Sequence, residues 1–174
     1  QALVISGNDL SETGAYREAL EVFGRTLSAG PGATEELLRG QVQARYRTGQ
    51  IHQGMGRERE ALKAFQEIEK SHSGSRDPVI RPLVLKSILE QSQLQADRSG
   101  GLFGRSQLRR VLARYTQVEQ QARGQKDPEM VKIFLRTVLM KGQLLGELKQ
   151  RDEAIRLYQE TMGEFGESTE PWVL

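Results

Sequence analysis

The 174 residues contain no cysteine and only two histidines. That excludes disulfides and cysteine-ligated metal sites. His52 and His72 lie about twenty residues apart, without the spacing of a histidine metal motif. Aromatic residues make up 6% of the chain, Trp172 is the single tryptophan, and β-branched runs are few, a composition poor in strand formers. No apolar run approaches the roughly 20 residues of a membrane-spanning helix, so no membrane insertion is expected. No stretch reads as a secretory signal. There is no Gly-rich phosphate loop before a helix and no His-Glu-x-x-His. The acidic pairs Glu58/Glu60 and Asp152/Glu153 fall where second helices should begin, and the helix dipole accounts for them there. Neither catalysis nor a metal or cofactor is expected.

What is present is helical. Leu, Ala, Glu, Gln and Arg recur with helical period, hydrophobic residues are 37% and charged residues 28%. This reads as one all-α domain with a sizeable core. One arrangement then occurs three times: a glycine, an alanine twelve residues on, and an aromatic four further. The copies are Gly7–Ala19–Phe23, Gly49–Ala61–Phe65 and Gly142–Ala154–Tyr158. Each copy predicts two helices joined by a tight turn, with glycine on the first and alanine and the ring on one face of the second. Glycine inside a helix costs about 1 kcal/mol relative to alanine, and close approach of the two helices would offset it. Gly14, Gly54 and Gly56 mark the turns.

Helix starts give a ruler. Thr34, Asp77-Pro78, Asp127-Pro128 and Glu170-Pro171 each read as a cap, spaced 43, 50 and 43 residues apart. The third interval carries seven extra residues, about two turns. Counting from the cap puts Ser92 in the glycine slot, Gly104 in the alanine slot and Leu108 in the aromatic slot. That places the extra residues inside a second helix from about Leu102 to Ala122. The predicted hairpins are 1–29, 34–73, 77–124 and 127–168, with a further helix beginning at 170–174. Gln1 in place of Met, the uncapped start and the lone Glu170–Leu174 segment are read as the marks of a piece of a longer protein.

The Gly–Ala–aromatic pattern resembles the tetratricopeptide repeat family. The chain departs from that family in lacking its early tryptophan and in carrying Leu10, His52 and Leu145 where a tyrosine is usual. A 43-residue period exceeds the family's usual ~34, so this looks like a long-repeat variant with first helices about two turns longer. The resemblance implies a right-handed superhelical array of four antiparallel helical hairpins, an α-solenoid. Its first helices would line a concave groove that takes another protein as a peptide, helix or loop. The residues after each small residue would then face the groove: Asn8, Gln50, Gln93 and Gln143, all amides with both donors and acceptors. One turn earlier come Arg47, Glu90 and Met140, and before those Gln43, Lys86 and Arg136. The far end carries Glu12, Asp97 and Glu147. Val4 stands where the family's carboxylate clamp has lysine, so that clamp is not carried over.

An alternative reading rests on charge. Residues 98–126 hold seven cationic side chains against Glu119 alone, a net +6 in a chain of +2. Arg105, Arg109, Arg110 and Arg114 would form a basic patch for nucleic acid or an acidic ligand in a regulatory domain. The bland reading is the solvated face of a long helix. Tyr115, the nearest ring, falls on the core face by spacing rather than on a stacking surface. Self-association through exposed first and last helices, and a cytoplasmic location with the periplasm as the other option, complete the expectations.

Overall fold

A computed structural model describes residues 2–28, 34–98 and 104–165. Eight helices follow in order: α1 (Ala2–Glu12), α2 (Tyr16–Leu27), α3 (Glu35–Gly54), α4 (Glu58–His72), α5 (Ile80–Asp97), α6 (Gly104–Ala122), α7 (Pro128–Glu147) and α8 (Arg151–Phe165). The described residues form no strand. The chain divides into two compact units, Gln1–Gln91 and Ser92–Leu174, with the division inside α5. Glu170-Pro171 and Trp172 lie outside the described residues, as do residues 29–33 and 99–103.

In the first unit α1 packs on α2 and α3, α2 on α3, and α3 on α4. Val4, Ala19, Phe23, Ala44 and Ile51 form the core where α1, α2 and α3 meet. In the second unit α6 packs on α7 and α7 on α8. Successive antiparallel helices packing in chain order make an all-α helical-repeat fold.

The glycines sit where the spacing placed them, on first helices against second ones. A β-carbon built on Gly7 would fall 2.5 Å from Phe23 Cε1, and one on Gly49 would fall 2.5 Å from Phe65 Cε1. On Gly142 it would collide with the Tyr158 hydroxyl. The nearest neighbour is thus the ring four residues beyond the alanine, not the alanine itself. The ring takes the space a side chain would need on the first helix, and both Phe23 and Phe65 are fully buried.

The third pair of helices differs from the sequence expectation. Leu108 is only half-buried, whereas Tyr115 is among the largest fully buried side chains. Tyr115 precedes Asp127 by twelve residues, as Phe65 precedes Asp77. Val111, four residues earlier, is buried where the other second helices place alanine. Tyr115 and Val111 therefore hold the slots assigned to Leu108 and Gly104. The extra residues lie before them, between the end of α5 and the middle of α6, which has 19 residues against 15 in α4. Counting forward from the cap misplaced them because an insertion shifts every slot downstream of it.

Helix ends follow local chemistry. Thr34 Oγ1 accepts from the Leu37 N–H (3.4 Å) and Asp127 Oδ1 from Met130 N–H (3.1 Å). Asp77 Oδ1 accepts from Val79 and Ile80 N–H (2.8 and 3.0 Å), while its Oδ2 accepts from Arg39 Nε (2.8 Å). Burial pushes the Asp77 carboxyl up, but the Ile80 and Val79 amides and the Arg39 guanidinium outweigh it and hold it below the ordinary value.

Three first helices end in the same two-bond motif. Ala15, Arg57 and Gln150 N–H donate to Leu10, His52 and Leu145 O (2.9, 2.8 and 2.8 Å), and the residue before each donates three back. That preceding residue has left-handed φ: 80° at Gly14, 70° at Gly56, and 63° at Lys149. A side chain in this region costs about 1–2 kcal/mol, partly offset because glycine loses more entropy on folding. Lys149→Gly should therefore stabilise the chain by about 0.5–1 kcal/mol. Urea unfolding would measure it, and a destabilised variant would contradict the strain.

Candidate functional site

The residues after the small ones lie on α1, α3, α5 and α7, and the structure treats them unequally. In the first unit Gln50 is committed at both ends. Its Oε1 accepts from Arg47 Nη1 (3.0 Å) and its Nε2 donates to the Tyr46 hydroxyl (3.4 Å). Tyr46 in turn donates to Glu90 Oε1 (3.3 Å). Arg47, Gln50 and Glu90 are therefore brought together through Tyr46, a residue the sequence reading did not single out. Tyr46 also packs its ring 5.6 Å from that of Phe65, next to Gly49. Glu90 is buried, so it is a support for this network rather than an open groove residue.

Asn8 is half-buried, and its Oδ1 has no hydrogen-bond partner among the described residues. Lys86 is half-buried and engaged within the chain. Gln43 lies apart from these, in an open hollow of about 420 Å³ at the start of α3. Thr34, Glu35, Glu36 and Arg39 share that hollow, but Arg39 is already bound to Asp77.

The second unit presents a more defined recess. The end of α5 contributes Gln93, Ala96 and Asp97, α6 contributes Tyr115, and α7 contributes Met140, Gln143, Leu144 and Glu147. The recess measures about 170 Å³, an order of magnitude more than the roughly 15 Å³ needed by one water. Gln93 Nε2 donates to Asp97 Oδ1 (2.8 Å), and the Tyr115 hydroxyl donates to Gln93 Oε1 (3.5 Å). Leu144 and Tyr115 are buried and form the inner wall, while Asp97, Gln143 and Glu147 are exposed. On α7 the spacing 136, 140, 143, 147 keeps one stripe, and its last three members reach the recess. Arg136 is exposed a turn away and is not among the lining residues.

The basic patch is only partly open. Arg105, Arg109 and Arg110 are exposed on α6. Arg114 is half-buried and donates Nε to Ser92 Oγ (3.1 Å), so it braces α6 against α5 instead of joining an open cationic surface. Tyr115 is buried and offers no stacking face.

Also within the second unit, α6 and α7 are tied by ionic groups. Lys141 Nζ donates to Glu119 Oε2 (2.6 Å), and Arg123 Nη2 donates to Glu119 Oε1 (2.8 Å). Arg123 also sits 5.2 Å over the Phe134 ring and pairs with Glu164 (3.5 Å). Burial pushes the Glu119 carboxyl up, but hydrogen bonds from Lys141 and Arg123 and their charges outweigh it and hold it below 4.5. Sequence reading saw Glu119 only as the lone acid in a basic stretch.

Burial pushes both histidines below their ordinary value. His52 Nδ1 is buried without a partner, and His72 is half-buried rather than solvated. Among the described residues no group of three His, Cys, Asp or Glu could hold a metal ion, and no helix is long and apolar enough to cross a membrane. The outermost helices carry exposed apolar side chains, Leu3 and Ile5 on α1 and Ile155 and Met162 on α8.

The tetratricopeptide repeat family model matches residues 43–75. This segment holds Gly49, Ala61 and Phe65 and spans most of α3 and all of α4. Residues 43–75 are thus similar to a tetratricopeptide repeat. The first eight residues of α3 precede the matched segment, about two helical turns ahead of the repeat. No curated protein and no solved structure matches the chain. The helix-to-ring contact of the matched segment, Gly49 on Phe65, recurs at Gly7 and Gly142.

Proposed function

We propose that this chain is a protein–protein interaction module that docks a peptide, helix or loop of its partner along the faces of its first helices. The observation that carries the reading is the recess of the second unit. Two first helices, α5 and α7, both line it and bring the exposed polar side chains of Asp97, Gln143 and Glu147 to the same space. Polar groups around a partly apolar wall suit an incoming peptide, which brings both backbone donors and acceptors and side chains.

The amides divide by availability. Gln50 and Gln93 each spend both ends inside the chain, which leaves Gln143 as the uncommitted exposed amide. The reading is testable on purified protein with an immobilised peptide array. Peptides that bind should lose about tenfold in affinity on Gln143→Ala with Met140→Ala, roughly 1.4 kcal/mol, at unchanged thermal stability. The same peptides should be indifferent to Arg109→Glu on the outside of α6. Affinity that ignores the α7 substitutions for every peptide would remove this face as the docking surface.

A further inference from the structure

We infer that the recess between α5, α6 and α7 is a pocket for an arginine side chain of the docked partner. This rests on the docking reading above and adds the chemistry of what is docked. Two of the lining residues, Asp97 and Glu147, are carboxylates, and no lysine or arginine lines the recess. Neither acid is ion-paired within the described chain. Asp97 receives only the Gln93 amide (2.8 Å), and Glu147 and Gln143 engage no hydrogen bond or ion pair among the described residues.

The contrast with the other hollow is instructive. At the start of α3, Glu35 has Arg39 beside it (3.7 Å), and Arg39 is bound to Asp77. There the chain supplies its own cation. In the α5–α7 recess it does not, although a carboxylate can accept several hydrogen bonds and Asp97 has accepted one.

Arginine fits better than lysine. A guanidinium is planar, carries five donors and engages carboxylates two bonds at a time. Asp97 and Glu147 both line the recess and offer it carboxylate oxygens. The arginine methylene stem needs an apolar wall, and Met140 and Leu144 supply one. Arg47 and Gln50 show the local alternative, an arginine held by an amide oxygen (3.0 Å). Gln143 can play that part for an incoming guanidinium.

The test uses the full 174-residue chain, ¹⁵N-labelled, titrated with Nα-acetyl-arginine N-methylamide and with the citrulline counterpart, which has the same shape and no charge. The arginine probe should bind at least tenfold more tightly and shift the amide resonances of Gln93, Asp97, Gln143 and Glu147. Asp97→Asn with Glu147→Gln should abolish that preference while leaving the spectrum otherwise that of the folded chain. Equal binding of the two probes, absence of shifts at those residues, or a preference that survives in the double variant would each overturn the proposal. Array peptides then separate the two readings. Peptides held on the α7 face with equal affinity by the double variant would sink the arginine pocket and leave the docking reading standing. An arginine-specific response with no peptide sensitive to the α7 substitutions would do the reverse.

Discussion

Gly49→Leu is expected to cost about 3 kcal/mol or more, enough to unfold much of a marginally stable domain. Two effects oppose each other. Leucine has the better helix propensity by about 0.8 kcal/mol. Against that, even the first carbon of a side chain would lie 2.5 Å from Phe65 Cε1. Phe65 is fully buried and backed by the Tyr46 ring at 5.6 Å, so it has nowhere to go. Steric cost wins, and Gly49→Ala should already destabilise.

Gly142→Ala should cost less, because Tyr158 is half-buried and only its ring end is in the way, so it can swing outward. Gly24→Ala serves as the control. It lies within α2 with nothing within 4 Å of a built β-carbon, and should gain up to about 1 kcal/mol. Urea unfolding of the three alanine variants should rank them Gly24, Gly142, Gly49 from most to least stable. A neutral Gly49→Leu would mean that α3 and α4 do not meet as described.

Lys141→Met is the second large effect. The Glu119 side chain is 9% exposed and that of Lys141 14%. Removing one partner of a buried pair typically costs 3–5 kcal/mol, because the remaining charge is left without compensation. Arg123 still faces Glu119, which places the expected loss near the lower end, about 3 kcal/mol. Removing both charges, as Glu119→Gln with Lys141→Met, should recover much of it, since the desolvation cost goes with them.

The pH dependence has a definite sign. The folded Glu119 carboxyl titrates below its ordinary value of 4.5. Its contribution is therefore present above the ordinary carboxylate range and lost as pH falls through the folded value. Stability of the native chain should decline more steeply below about pH 4.5 than that of the double variant. Parallel acid profiles for the two would show that Glu119 is not held ionised by Lys141 and Arg123.

Much of the fold was legible because it is written in local spacings. A residue twelve or sixteen positions from another, across one tight turn, meets it by helix geometry alone. That is why Gly7, Gly49 and Gly142 could be placed against the second helices without coordinates, although the spacing set them against the alanines and the structure sets them against the rings. Caps were legible for the same reason: Thr34 and Asp127 bond amides three residues on. The one local misreading, Leu108 for Tyr115, came from counting across an insertion. Counting backward from Asp127 would have found the tyrosine.

The proposed docking face was legible only as a set of positions. Gln93, Asp97, Met140, Gln143 and Glu147 were named from the family resemblance together with helical phase, and all five line one recess. Which of them are still available was not in the sequence. Gln93 and Gln143 look alike there, as do Arg114 and Arg109.

The sequence by itself determined the helices, their ends and the close approach of first helices to second ones at small residues, because each depends on neighbours within about one hairpin and on backbone geometry common to all chains. Tertiary structure alone decided which polar groups are spent and which are left over. Tyr46 reaches Glu90 across 44 residues, and Lys141 and Arg114 find Glu119 and Ser92 across 22. Such pairings depend on which side chains happen to face each other once the helices have packed, and a hydrogen bond needs that geometry to within a few tenths of an ångström.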